Sequence, residues 1–206
     1  MNTFWSTIFG NHHPVEIEIG PGTGTFLQNV AAEHAERNYF AIEHSRSHTA
    51  RLEAALVMHG LRNVRVIHGD ASCIVAMLVP AASVAAYHIY FPDPWWKRRH
   101  QRRRLFTPAF ARALAQTLAP GGHVYLATDV DEVFALMHAT LAAAAVFTEV
   151  ADTPSPRTTV TNFERKGLTH GATIHQATFA TRVAPRQLDT PHPSSAAPIT
   201  PAESPS

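Results

Sequence analysis

The sequence has few cysteines, no long apolar runs and little net charge. Its one cysteine, Cys73, excludes an internal disulfide framework and a cysteine-based zinc cluster. No apolar run approaches the length that crosses a bilayer. Residues 1–10 carry no basic region ahead of an apolar stretch, so they do not read as a secretory signal. We therefore expect a cytoplasmic protein of one ordinary-sized domain, without membrane contact.

The net charge is +1, but the basic residues are unevenly spread. One short run holds six of the 17 lysines and arginines: Lys97, Arg98, Arg99, Arg102, Arg103 and Arg104. Such a patch on a nearly neutral chain indicates either a local anionic partner or a solvated helix face. The 14 histidines are scattered and show no metal-ligand spacing, so we expect no catalytic metal.

Strand-like and helix-like segments alternate along the chain. Short β-rich runs at 15–19, 39–42, 64–67, 84–90 and 123–127 are separated by helical patterns, including one from Ser45 to His59 and one that begins at Thr107-Pro108 and ends at Pro120-Gly-Gly122. A helix from Val133 to Ala144 and two late strands, at 147–150 and 173–182, follow. This order predicts an α/β fold: a mostly parallel sheet, flanked by helices, with a late antiparallel strand.

The composition divides the chain into three parts. Residues 1–14 form a short lead-in, and residues 15–183 carry the alternating pattern. From residue 184 to 206, proline, serine, alanine and threonine dominate and no apolar periodicity remains. We expect this last part to be a disordered tail.

Glycines and acidic residues mark the ends of the predicted strands. Glu18 precedes Gly20-Pro-Gly-Thr-Gly24, where the first strand turns into a helix. Glu43, Asp70 and Asp93 stand at or beside the ends of the next three strands. Open α/β sheets bind ligands at this edge, although a glycine loop is often only a tight turn and a carboxylate there is often only a helix cap.

This pattern resembles the S-adenosylmethionine-dependent methyltransferases, whose fold is Rossmann-like. A carboxylate beside the glycine loop suits the cationic half of that cofactor and would repel a pyrophosphate, which disfavours a nicotinamide dinucleotide. Glu43 would accept hydrogen bonds from ribose hydroxyls. The expected product is S-adenosylhomocysteine.

The most specific stretch runs from Phe91 to Arg104, FPDPWWKRRHQRRR. It holds Asp93 between two prolines, which stiffen the backbone around the carboxylate. Two tryptophans and the basic run follow. Aromatic rings stack on unpaired RNA bases and basic residues contact phosphates, although either tryptophan alone could simply be buried.

Pro-Asp-Pro-Trp-x-Lys-x-x-His, followed by paired arginines, resembles the signature of the tRNA (guanine-N7)-methyltransferases. The resemblance extends over residues 15–183 and includes Ala127-Thr-Asp129 and Thr161-Asn-Phe-Glu164. Two features depart from the family pattern: a second tryptophan follows Trp95, and the lead-in is short.

The resemblance implies a set of site residues. For the cofactor these are Glu18, Gly20, Gly22, Gly24, Glu43, Asp70 and Asp93. Asp93 is also the implied catalytic residue. For the substrate they are Lys97, Asp129, Thr161, Asn162, Phe163 and Glu164, and for RNA binding Arg99, His100, Gln101, Arg102, Arg103 and Arg104. The implied partner is tRNA, methylated at a guanine of its variable loop, and the protein is expected to be a monomer or a small homo-oligomer.

Two other functions stay open at this point. A methyltransferase of small molecules or proteins would share the glycine loop and the acidic strand ends, but it would have no use for the basic run. An RNA-binding module with a vestigial cofactor fold would use the basic run, but it would not need the intact glycine and acidic positions.

Overall fold

The computed structural model describes residues 3–93, 105–151 and 173–182. Six helices and seven strands lie in these ranges. The helices are α1 (Thr3–Phe9), α2 (Thr25–Glu33), α3 (Arg46–Met58), α4 (Ala71–Met77), α5 (Pro108–Thr117) and α6 (Asp131–Ala142). The strands are β1 (Val15–Ile19), β2 (Asn38–Glu43), β3 (Val64–His68), β4 (Val84–Tyr90), β5 (Leu118–Thr128), β6 (Phe147–Glu149) and β7 (His175–Thr181).

All seven strands form one sheet, in the order β3-β2-β1-β4-β5-β7-β6. The first five strands run parallel to one another. Strand β7 pairs antiparallel with β5, and β6 pairs antiparallel with β7. The prediction of a mostly parallel sheet with a late antiparallel strand is confirmed. Because the carboxyl ends of β1 to β5 all lie at one edge of the sheet, we call that edge the carboxyl edge.

Helices cover both faces of the sheet. On one face, buried side chains of β1, β2, β4 and β5 pack with α1, α4, α5 and α6. On the other face, Tyr39 and Ala41 of β2 and Tyr90 of β4 pack with α2 and α3. Side chains alternate between the faces along each strand, so a strand covered on both sides is buried throughout. Every residue of β1 is buried for this reason, including its two glutamates.

Helix starts follow the local sequence. Thr107 caps α5: its hydroxyl accepts a hydrogen bond from the Phe110 N–H at 3.1 Å, and Pro108 takes the first helical position. The side chain of Ser45 caps α3 in the same way. The start of α5 was predicted from its capping residue, whereas the helix predicted from Ser45 to His59 begins one residue later, at Arg46, with Ser45 as its cap.

Four features differ from the sequence-based expectation. The lead-in contains helix α1, and α4 follows Asp70; both are seven-residue helices, too short to show a clear period. Helix α5 ends at Thr117, before its predicted stop at Pro120. Strand β5 then begins at Leu118 and includes a bulge, because Val84 pairs with Leu118 whereas Ala86 already pairs with His123.

Helix α1 is held to the domain by Trp5. The indole is 5% exposed, and its Nε1 donates a hydrogen bond to Ser83 Oγ at 3.0 Å. Its ring lies 5.3 Å from that of Phe40 and 6.2 Å from that of Phe9, measured between centroids. Part of the lead-in therefore belongs to the core.

The boundary at residue 183 and the tail at 184–206 lie outside the described residues and stay predictions. Within the ranges described, no helix combines the length and the apolar character that a membrane crossing requires.

Replacing Trp5 with Ala should destabilise the protein by roughly 3 kcal/mol or more, because it removes a large buried ring and leaves a cavity. Chemical denaturation measures the loss. Val57→Ala is the matched control; Val57 is 83% exposed, so its truncation should change the free energy of unfolding by about 0.5 kcal/mol or less. Equal, small losses in the two variants would show that α1 does not pack as described.

Candidate active site

The glycine loop connects β1 to α2 at the carboxyl edge. Gly20, Gly22 and Gly24 have φ values of 72°, 56° and 73°, a left-handed backbone that glycine adopts without strain. A Cβ at Gly24 would also lie 2.3 Å from Leu52 Cδ1, so this glycine lets α2 approach α3. A Cβ at Gly20 or Gly22 would meet no atom within 4 Å. The loop backbone therefore borders open space that a ligand could fill.

Glu43, at the end of β2, ties the glycine loop to the next helix. Its Oε2 accepts a hydrogen bond from the Gly22 N–H at 3.1 Å, and its Oε1 accepts one from the Ser45 N–H at 2.7 Å. Each carboxylate oxygen has a second lone pair. Glu43 can therefore fix the loop and still accept a hydrogen bond from a hydroxyl of a ligand.

Glu18 is buried without a partner for one of its oxygens. The residue is 4% exposed, and within the described part of the chain its Oε2 is the only buried side-chain oxygen or nitrogen that has no hydrogen bond. Burial, and then the neighbouring charge of Glu43, raise the pKa of Glu18 to about 8. An unsatisfied buried carboxylate is costly, and a cationic or hydrogen-bond-donating ligand would remove that cost.

Asp70 lies at the end of β3 and caps α4. Its Oδ1 accepts hydrogen bonds from the N–H groups of Ser72 at 2.8 Å and Cys73 at 3.1 Å, and also from the Ser72 hydroxyl. The Ser72 hydroxyl, followed by these N–H groups, holds the pKa of Asp70 below its usual range. The structure thus gives Asp70 a capping role, and its cofactor contact stays a prediction.

Asp93 is reached through a strained turn. The Phe91 N–H continues the pairing of β4 with β5 by donating to the Ala127 carbonyl at 2.8 Å. Phe91 itself has a φ of 48°, a conformation that is costly for a bulky residue and that often occurs at functional sites. The chain then passes through Pro92 to Asp93, which is exposed.

Asp129 lies at the same edge, one residue past β5, and is half-buried. The preceding Thr128 is buried, and its hydroxyl accepts a hydrogen bond from the Val130 N–H at 3.3 Å. Because β4 and β5 are parallel neighbours, Asp93 and Asp129 both follow strand ends at this edge.

The remaining predicted residues fall outside the described ranges. They are Lys97, the RNA-binding run Arg99, His100, Gln101, Arg102, Arg103 and Arg104, and the late element Thr161, Asn162, Phe163 and Glu164. In the described part of the chain, no group of three or more His, Cys, Asp or Glu residues is placed to hold a metal ion.

Sequence reasoning did not find a polar chain beside the site, formed by Arg37, Glu16, His88 and Tyr90, which is buried except at Arg37. Arg37 donates to Glu16, Glu16 Oε2 lies 2.7 Å from His88 Nε2, and His88 Nδ1 lies 3.0 Å from the Tyr90 hydroxyl. Burial raises the pKa of Glu16, but His88 and Arg37 outweigh it and hold the pKa below its usual range. The signal in the sequence is two glutamates in a central strand, VEIEI, since a glutamate buried there requires a partner.

Comparison with known proteins agrees with this geometry. Residues 12–177 match a family model described as a putative methyltransferase. A tRNA (guanine-N(7)-)-methyltransferase of Hydrogenovibrio crunogenus is 37% identical over 81% of this chain and 72% of its own length. The proteins of the same name from Nitrosomonas eutropha and Thiobacillus denitrificans are 35% and 38% identical, over 84% and 85% of this chain and 79% and 78% of their own.

Solved structures share the fold at lower identity. The 16S rRNA methyltransferase KamB superposes with a TM-score of 0.62 at 17% identity, over 90% of this chain and 94% of its own. TrmN from Thermus thermophilus superposes with a TM-score of 0.59 at 16% identity, over 85% of this chain and 46% of its own. These likenesses establish a class I methyltransferase fold.

The family model covers most of the chain, and the similar sequences extend over most of both partners. The chain therefore belongs to the tRNA (guanine-N7)-methyltransferase family.

Proposed function

We propose that this protein transfers a methyl group from S-adenosylmethionine to N7 of a guanine in the variable loop of tRNA. The observation that carries the proposal is the similarity to tRNA (guanine-N(7)-)-methyltransferases over about four fifths of the chain. A tRNA substrate agrees with the cytoplasmic location and with the RNA-binding run expected from the sequence.

The glycine loop and its two glutamates fit the proposed cofactor. When bound, S-adenosylmethionine supplies an electrophilic methyl group carried on a sulfonium cation. Glu18 offers a buried carboxylate oxygen with no partner, which suits the cationic amino-acid half. Glu43 stands next to the loop, with acceptor capacity for ribose hydroxyls. Gly20 and Gly22 leave room for a ligand to approach the backbone closely.

Asp93 is assigned to the guanine. Guanine N7 has a free lone pair and carries no proton, so the reaction needs no general base. It needs the lone pair held in line with the methyl group, and positioning of this kind supplies much of a reaction rate. Methylation also builds positive charge on the guanine, which the carboxylate of Asp93 stabilises. Asp93 thus orients the base and stabilises its developing charge.

We assign the contacts with tRNA to the residues that the sequence signature implies. Lys97 and Asp129, with Thr161 to Glu164, contact the guanine and its neighbours, and the run from Arg99 to Arg104 contacts phosphates. Phosphate contacts of this kind fix the orientation of a nucleic acid without reading its sequence. The sequence signature and the family support these assignments.

We expect the purified full chain to transfer label from S-adenosylmethionine to an unmodified tRNA transcript, at one guanine of the variable loop. Chemical cleavage at 7-methylguanosine maps the position. A transcript with that guanine replaced by adenine is the control and should stay unlabelled. Label in proteins or small molecules alone would support a different methyltransferase, and tight tRNA binding without cofactor binding or label would support a non-catalytic RNA-binding module.

Asp93→Asn should lower the methylation rate at saturating substrates by roughly 100-fold, because a neutral amide stabilises the charged guanine less well than a carboxylate does. Binding of tRNA and cofactor should change little. Glu132→Gln, which neutralises an exposed carboxylate in the first turn of α6, is the control and should keep the wild-type rate. An Asp93→Asn protein that binds both ligands normally and methylates at the wild-type rate would contradict the role.

Cofactor binding should release a proton from Glu18. With a pKa of about 8, this carboxyl group is mostly protonated at pH 7. A cation bound beside it favours the ionised form, so the proton leaves on binding and the affinity rises as the pH increases toward 8. Titration calorimetry in buffers of different ionisation enthalpy measures the number of protons released.

The control for this titration is Glu18→Gln, which keeps the size of the side chain and removes its titration. The α-amino group of the ligand also titrates near pH 8, so the difference between the two proteins is the informative quantity. We expect roughly one proton more to be released from the wild type at pH 7. Equal proton release by the two proteins would show that cofactor binding does not ionise Glu18 and would contradict the prediction.

A further inference from the structure

The polar chain Arg37–Glu16–His88–Tyr90 lies between the two loops of the site. Tyr90 is the last residue of β4, three positions before Asp93. Phe26 is the second residue of α2, the helix that follows the glycine loop. The ring of Phe26 lies 4.9 Å from that of His88 and 5.0 Å from that of Tyr90. One aromatic cluster thus joins the cofactor loop to the loop that carries Asp93.

The ring of His88 has little freedom. It is completely buried, and Tyr125 of β5 stacks on it at 5.2 Å with an interplanar angle of 8°. Both ring nitrogens are engaged, Nε2 with Glu16 and Nδ1 with the Tyr90 hydroxyl. The tautomer with its proton on Nε2 satisfies both contacts, because Nε2–H can donate to the carboxylate of Glu16 while Nδ1 accepts from the Tyr90 hydroxyl. Both hydrogen bonds fix the orientation of the ring.

Stability alone does not account for such a chain. The Arg37 side chain is 42% exposed, so water screens its ion pair with Glu16, whereas the buried Glu16 loses most of its hydration. Hydrogen bonds, however, allow fewer arrangements than apolar contacts do. What the polar chain supplies beyond packing is a defined orientation of the Tyr90 side chain, and with it of the end of β4.

We propose that His88 and Tyr90 are positioning residues for methyl transfer, which hold the Asp93 loop at a fixed distance from the glycine loop. The inference rests on the proposed function. The methyl donor bound at one loop and the guanine bound at the other must meet in line, and a displacement of about 1 Å can cost a reaction roughly 100-fold in rate. His88 and Tyr90 act through the backbone that they orient and touch neither substrate.

Tyr90→Phe tests the proposal, because it removes the hydroxyl that bonds to His88 and keeps the ring that packs on Phe26. Strand β4 also provides a matched control. Tyr87 is a buried tyrosine on the opposite face, and its hydroxyl lies 2.7 Å from Thr117 Oγ1 of α5. Tyr87→Phe therefore removes a buried hydroxyl from the same strand without touching the site.

We expect the single-turnover methylation rate of Tyr90→Phe, at saturating tRNA and cofactor, to fall by about 10-fold or more. Its KM for tRNA and its calorimetric affinity for the cofactor should stay within about threefold of wild type, because no group that contacts either ligand is removed. Tyr87→Phe should lose a similar amount of thermal stability and keep the wild-type rate.

The outcomes separate the possibilities. Wild-type turnover with an unchanged Tyr90→Phe rate, or with equal rate losses in the two variants, overturns the positioning role and leaves the proposed function intact. No turnover of tRNA by the wild type overturns the proposed function and this inference with it. If Tyr90→Phe folds poorly, His88→Gln takes its place, because it removes the imidazole that bonds to the Tyr90 hydroxyl. Its methylation rate is then compared with that of Tyr87→Phe, and the same loss of rate is expected.

Discussion

The burial of two glutamates in the central strand is the constraint on which this site depends. Glu16 and Glu18 lie two residues apart on one face of β1, and both are almost fully buried. Glu16 is satisfied by Arg37 and His88. One oxygen of Glu18, by contrast, has no partner. Glu16, whose partners are all in the protein, is part of the scaffold, whereas the free oxygen of Glu18 can still bind a ligand, and we propose the cofactor site there for this reason.

The neighbouring strand β2 connects Glu18 to the glycine loop. Glu43 lies on β2 beside β1, and its two oxygens hold the Gly22 N–H and the Ser45 N–H. The same carboxylate fixes the glycine loop, fixes the start of α3 and raises the pKa of Glu18. The site is therefore a coupled set of carboxylates, in which removing the charge of Glu43 would change both the shape of the loop and the proton affinity of Glu18.

The sequence predicted the elements whose signals are local. Alternating strands and helices predicted the mostly parallel sheet, and the capping residue Thr107 predicted where α5 begins. Helix α4 was not predicted, because seven residues show too little of a helical period. The bulge in β5 was not predicted either, since it depends on pairing with β4.

Local signals also explain which parts of the site were found. The carboxylates at strand ends were identified because their positions follow from the order of the elements. The bond between Glu16 and His88 joins residues 72 positions apart, and it depends on the register in which His88 lies opposite Glu18. No local pattern specifies that register. For Asp70 the sequence predicted the position after a strand but not the role. The structure shows that its side chain caps α4.

The fold alone does not select the substrate, because structures at 13 to 17% identity with other methyltransferase titles superpose on this chain. We propose that substrate selection depends on what differs between these proteins at the carboxyl edge. The described chain reaches that edge at Asp93 and comes back to it at the start of β7, where His175 pairs with Thr128 and its Nε2 lies 2.8 Å from Asp131 Oδ1. Both sequence elements that resemble the family signature, the run after Asp93 and Thr161 to Glu164, belong to segments that each have one described end at this edge, Asp93 and the start of β7. The proposed function therefore assigns cofactor binding to a fold shared with other methyltransferases, and the choice of base to the sequence that follows this edge.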